Sequence, residues 1–110
     1  MNEASAHAYA RCGYVRADRL LGVEACNAFL RQLQDDLDRA GRPLERLRRS
    51  GPLLKREAIE LYAFHYPPMA TLLWGLTPTI AGLTGRELLP SYAYFRIYRE
   101  GDICRVHGDR

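Results

Sequence analysis

Cysteine is sparse in this sequence, and it is unpaired. Cys12, Cys26 and Cys104 stand far apart with no CxxC motif, which argues against a disulfide-built scaffold and for a reducing compartment. No apolar run approaches the ~18 residues that a membrane-spanning helix requires. The opening stretch MNEASAHAYARCGY has an early acid and no apolar block, so it does not read as a secretory leader. Charge of one sign is not in large excess either. A net charge of +3 is too small to nominate nucleic acid or a membrane surface as partner by itself. These absences predict a cytoplasmic protein with no membrane contact, and they do not favour nucleic acid as a partner.

What is present fits an ordinary globular chain. At 110 residues, 47% of them hydrophobic, it is long enough to bury one core and too short for two large domains. Residues 1–13 read as a flexible tail, Ala-rich and without periodicity. The remainder, 14–110, reads as a single domain. Tyr14-Val15-Arg16 is a candidate short strand. Val23, Cys26, Leu30, Leu33 and Leu37 then recur at spacings of three and four, the signature of an amphipathic helix. Glu24 in its first turn and Arg39 in its last suit the helix dipole, and Gly41 with Pro43 marks the stop.

The segment Arg39–Arg49 holds five arginines against Glu45. It reads as a solvated connection interrupted by Pro43, or else as a patch for phosphate or an acidic partner. Residues 52–66 mix helix-like and strand-like signals, and within them Glu57–Tyr62 has partial alternation and is a candidate strand. Pro67-Pro68 opens a second helix in which Met69, Leu72, Leu73, Leu76, Ile80 and Leu83 share one face. Pro78 predicts a kink or break at Thr77-Pro78, and Gly85 a C-terminal cap. Met69 and Trp74 read as packing residues, and His65 as a half-buried structural histidine.

From Ser91 the period becomes two. Ala93, Phe95 and Ile97 fall on one face, with Tyr92, Tyr94, Arg96 and Tyr98 on the other. The aromatic face could line a cavity for an anionic small molecule. Arg99-Glu100-Gly101-Asp102 is turn chemistry and predicts a hairpin. In its second strand Ile103, Arg105, His107 and Asp109 share a face, so an imidazole and a carboxylate stand side by side as an N,O donor pair.

The run Tyr98-x-x-Gly101 followed by His107-x-Asp109 resembles the opening of the catalytic core in Fe(II)- and 2-oxoglutarate-dependent dioxygenases of the prolyl 4-hydroxylase-like group. His107 lies nine residues after Tyr98. The stretch from Gly85 through HGDR carries the likeness, while over 14–84 the likeness is architectural. The resemblance implies an α+β chain in which helices over 14–90 support a double-stranded β-helix (jelly roll) that begins at 91–110. It implies His107 and Asp109 as metal ligands and Tyr98 as a hydroxyl that hydrogen-bonds 2-oxoglutarate. Fe(II), 2-oxoglutarate as cosubstrate and ascorbate are the cofactors it implies. The substrate would be a small molecule or a protein side chain.

The family's third iron-binding His and its Arg or Lys for the far carboxylate of 2-oxoglutarate have no counterpart in this sequence. His7 and His65 lack the motif context of a ligand. The expectation is therefore an N-terminal portion of a longer enzyme, inactive alone. The alternative is a small non-catalytic helical interaction module that uses the Arg39–Arg49 basic segment.

Overall fold

The computed structural model describes residues 3–108. Helix and sheet are mixed, as expected for the α+β class, with a three-stranded antiparallel sheet in the order β1 (Arg48–Arg49), β2 (Ala58–Tyr62), β3 (Tyr94–Ile97). The chain forms two compact units. One combines the chain up to residue 20 with residues 62–93, and the other combines residues 21–61 with the chain from residue 94 on.

The first unit is helical. Glu3–Cys12 forms α1 where the sequence predicts a loose tail. Its apolar positions are mostly alanines, which favour helix strongly but leave no large-side-chain periodicity to read. Residues 14–16, a candidate strand, are irregular. Helix α3 (Pro67–Thr84) starts on two prolines, as predicted, because the missing N–H groups have no intrahelical partner in a first turn. Gly85 closes it at φ 70°, its N–H donating to the Ala81 carbonyl at 2.9 Å.

Helix α1 packs on α3. A Cβ at Gly85 would stand 2.9 Å from the Ala6 Cβ, so the helix contact and the left-handed backbone both call for glycine there. No break occurs at Pro78, and α3 runs unbroken through it. Proline removes one N–H from the ladder, while the turns beyond it carry Leu83 into the core. The Thr77 hydroxyl donates to the Leu73 carbonyl at 2.7 Å beside that gap. Met69 is buried as expected, but Trp74 is 65% exposed. At 3.6 residues per turn Trp74 lies about 140° round the helix from Met69. Its apolarity had suggested packing, but its angle takes it off the buried stripe.

The second unit carries the sheet. Helix α2 (Val23–Arg39) has the predicted bounds and buries Leu33 and Leu37. Val23 and Cys26, earlier on the same stripe, stay exposed. A 3-10 turn at Leu44–Arg46 packs against α2 and buries Leu44. Strand β1 is Arg48–Arg49, with Arg48 opposite Ile59 and Arg49 opposite Ala58 of β2 (Ala58–Tyr62). The first four residues of β2 are all buried. A central strand covered on both sides loses the alternation that an exposed sheet face would show. One of the four is Glu60, a carboxylate inside an apolar strand.

Strand β3 is Tyr94–Ile97, shorter than the alternating run. The predicted hairpin does not form. Cys104 bridges to Leu54 rather than to β3. Lys55 N–H donates to the Ile103 carbonyl at 3.1 Å and Arg105 N–H to the Leu53 carbonyl at 2.5 Å. The Arg99–Asp102 turn is drawn towards arginines on and near β1 and β2, so the chain leaves it along residues 53–55.

Candidate metal centre

Strand β3 leads into the segment that carries the proposed ligands. Tyr94 and Tyr98 are exposed on one side of it, while Phe95 and Ile97 are half-buried on the other, as the alternation predicts. Arg96 departs from that pattern. Its side chain is only 13% exposed, and its Nε lies 2.7 Å from the Glu60 carboxylate. The Tyr94 ring centroid lies 5.2 Å from its guanidinium. The Glu60 hydrogen bond, helped by the Tyr98 hydroxyl, outweighs burial and raises the guanidinium further above its ordinary value. Arg96 is therefore a permanent cation whose charge is matched inside the unit.

The turn that follows closes on itself. Asp102 N–H donates to the Arg99 carbonyl at 2.9 Å, and Arg99 N–H donates back to Asp102 Oδ2 at 2.8 Å. Gly101, at φ 85°, supplies the left-handed residue this closure needs. The Asp102 side chain is 1% exposed and also accepts from Arg56 Nε at 3.3 Å and Arg48 Nη1 at 3.4 Å. Its bond from the Arg99 N–H, and then the two arginines, hold the carboxyl below its ordinary range against the opposing effect of burial. Arg56 donates to the Glu100 carbonyl at 3.1 Å, Arg48 to the Glu57 carbonyl at 3.1 Å, and Arg99 to Glu45 at 2.5 Å.

Sequence reading missed this Asp102 hub. Its available traces were an acid in the fourth position of a Gly turn and the i,i+3 pair Glu45–Arg48, 3.7 Å apart. Nothing in spacing alone links residue 102 to residues 48 and 56. Arg48, counted within the basic segment, is turned inward to acids of its own unit.

His107 is exposed, and its Nδ1 lies 2.7 Å from the Arg105 carbonyl. A carbonyl only accepts, so in this contact Nδ1 carries the proton. Cys104 Sγ lies 3.9 Å from the same Nδ1. Asp109, the expected second ligand, lies outside the described residues. Residues 103–108 form no regular strand, so the shared-face argument for Ile103, Arg105 and His107 loses its basis. His7 and His65 belong to the helical unit, where the His65 ring sits 4.1 Å from the Phe64 ring.

The chain matches no family model, no curated protein and no solved structure. Among the described residues no three His, Cys, Asp or Glu side chains gather as a metal-binding group. No described helix is long and apolar enough to cross a membrane. The His107 Nδ1 contact has a form known from metal-ligating histidines. A metal-ligating imidazole commonly donates its other N–H to a backbone carbonyl, which fixes the tautomer and aims the coordinating nitrogen.

Proposed function

We propose that this chain is the N-terminal portion of an Fe(II)- and 2-oxoglutarate-dependent oxygenase of the prolyl 4-hydroxylase-like group, and that β3 belongs to the start of its double-stranded β-helix. One observation carries the reading. Tyr98, Gly101, His107 and Asp109 follow one another in a single stretch, and within it the His107 Nδ1 is tied to the Arg105 carbonyl. Bound iron would supply oxygen activation coupled to decarboxylation of 2-oxoglutarate to succinate.

The residues of the chain do the positioning. His107 offers Nε2 and Asp109 a carboxylate oxygen, a hard and borderline donor set of the kind ferrous iron accepts. The Tyr98 hydroxyl donates to a carboxylate of 2-oxoglutarate. A third imidazole and a cation for the far carboxylate come, on this reading, from later residues of the same enzyme. The hydroxylated substrate is a small molecule or a protein side chain.

Calorimetric titration of the chain with Mn(II), with and without 2-oxoglutarate, tests the ligand assignment. Binding should be strengthened by 2-oxoglutarate and lost in His107→Ala and Asp109→Ala. Equal heats in the parent and both variants would remove the assignment. In the longer enzyme either variant should abolish succinate formation, and Tyr98→Phe should raise the KM for 2-oxoglutarate through loss of a hydrogen bond worth ~1–3 kcal/mol.

A further inference from the structure

His107 is an exposed side chain on an irregular segment, and such segments do not hold a ring in one orientation by themselves. Here the segment is tethered at three successive points. Asp102 is locked by Arg48, Arg56 and the Arg99 N–H. Residues 103–105 then run along residues 53–55 through the Lys55–Ile103 and Leu53–Arg105 backbone bonds and the Leu54–Cys104 bridge. Arg105, pinned through its N–H to the Leu53 carbonyl, turns its own carbonyl to the His107 ring.

The middle tether is short, and its register depends on where the preceding turn places Ile103. That turn is set by Asp102. Its carboxylate gathers one backbone N–H and two guanidinium groups from residues 46 and 54 positions earlier in the chain. Arg56 makes the same link a second time by reaching the Glu100 carbonyl. All these groups lie in the sheet-bearing unit.

We infer that Asp102 is a positioning residue: clamped by Arg48 and Arg56, it fixes the Arg99–Asp102 turn and, through residues 103–105, holds the His107 ring with its Nδ1–H on the Arg105 carbonyl. The tautomer and the tethering stand on the geometry alone. Their use in metal binding rests on the oxygenase reading.

The test is Asp102→Asn, which keeps the shape and removes the charge that gathers the arginines. Arg56→Gln serves as a second variant, because Arg56 is mostly exposed and its loss leaves the core intact. Long-range 1H–15N spectra of the histidine rings, taken at about pH 8 where imidazole is neutral, should show the Nδ1–H form for His107 in the parent protein. His107→Ala assigns the signal. Asp102→Asn should give a mixture of tautomers and about tenfold faster hydrogen exchange at Ile103–Arg105. Arg56→Gln should move both in the same direction by less. Mn(II) affinity in the presence of 2-oxoglutarate should fall about tenfold in Asp102→Asn, the scale seen when a partner of a metal-ligating histidine is lost.

An Asp102→Asn protein with the parent tautomer and parent exchange rates overturns the inference. So does a parent protein whose His107 is already a tautomer mixture. If the parent shows the tautomer and its dependence on Asp102 but binds no Mn(II), the positioning stands and the oxygenase reading falls.

Discussion

The two units of this chain are built by different means. The helical unit, around α1 and α3, relies on apolar contact and small residues. Its buried side chains are Ala63, Tyr66, Met69 and Leu83, its helices meet at Ala6 and Gly85, and its Arg16–Asp18 pair is exposed on both sides. The sheet-bearing unit buries Leu33, Leu37, Leu44, Leu54, Ile59 and Leu61, and among them it holds charges. Glu60 is matched by Arg96, and Asp102 by Arg48 and Arg56. Apolar packing tolerates substitutions that conserve volume. A buried charge has no tolerance for losing its partner. The segment with the candidate ligands therefore sits in the unit whose geometry is fixed by specific polar pairs.

Breaking a buried pair from one side should have the largest effect. Glu60→Ala leaves the nearly buried Arg96 guanidinium unmatched and should cost about 3–5 kcal/mol in urea unfolding. Replacing both, as Glu60→Leu with Arg96→Met, should recover most of that loss. If the single variant loses under 1 kcal/mol, the pair is not held out of water, and the contrast between the units weakens.

In the helical unit, Met69→Ala should cost about 2–4 kcal/mol as a core cavity. Trp74→Ala, though it removes the larger side chain, should change stability by under ~1 kcal/mol because it empties no core. A reversed order would mean that Trp74, and not Met69, faces the packed side. Gly85→Ala comes next, at about 1–2 kcal/mol from the left-handed backbone and the approach of Ala6. Substituting Gly75, where an added Cβ meets nothing within 4 Å, serves as the control and should be neutral or stabilising.

Much of this contrast could be read from the sequence on one side only. The amphipathic stripe of α2, the Pro67-Pro68 start of α3 and the Gly85 cap follow from period and punctuation, which are local signals, whereas the partial alternation of β2 marks a strand but not its burial on both sides. Helix α1 escaped because alanines make a helix without marking a face. The predicted hairpin after β3 does not form: a turn motif says where a chain reverses and not which strand it then joins. Residues 103–105 chose 53–55, some fifty positions earlier, through a carboxylate–guanidinium cluster that no periodicity encodes. The residues of the candidate site were legible as a motif, whereas the groups that tether the segment carrying His107 were not.

The smallest expected effect is in the pH dependence of the sheet-bearing unit. Asp102 has a carboxyl held below its ordinary value by the Arg99 N–H and the two arginines. The folded protein therefore keeps this group ionised at pH values where the unfolded chain has begun to bind a proton. The stability it contributes is fully present above the ordinary Asp value of about 3.9, and it is lost as pH falls from there towards the lower folded value. Urea midpoints measured from about pH 6 down to about pH 3 should fall in the parent protein and fall less steeply in Asp102→Asn, so that the gap between the two narrows with acid. Above about pH 5 the gap should be constant. Parallel lines through the whole range would mean that Asp102 ionises in the folded chain as it does in the unfolded one. The clamp on the turn would then be a matter of shape and not of charge, and the neutral Asn could replace it without disturbing His107.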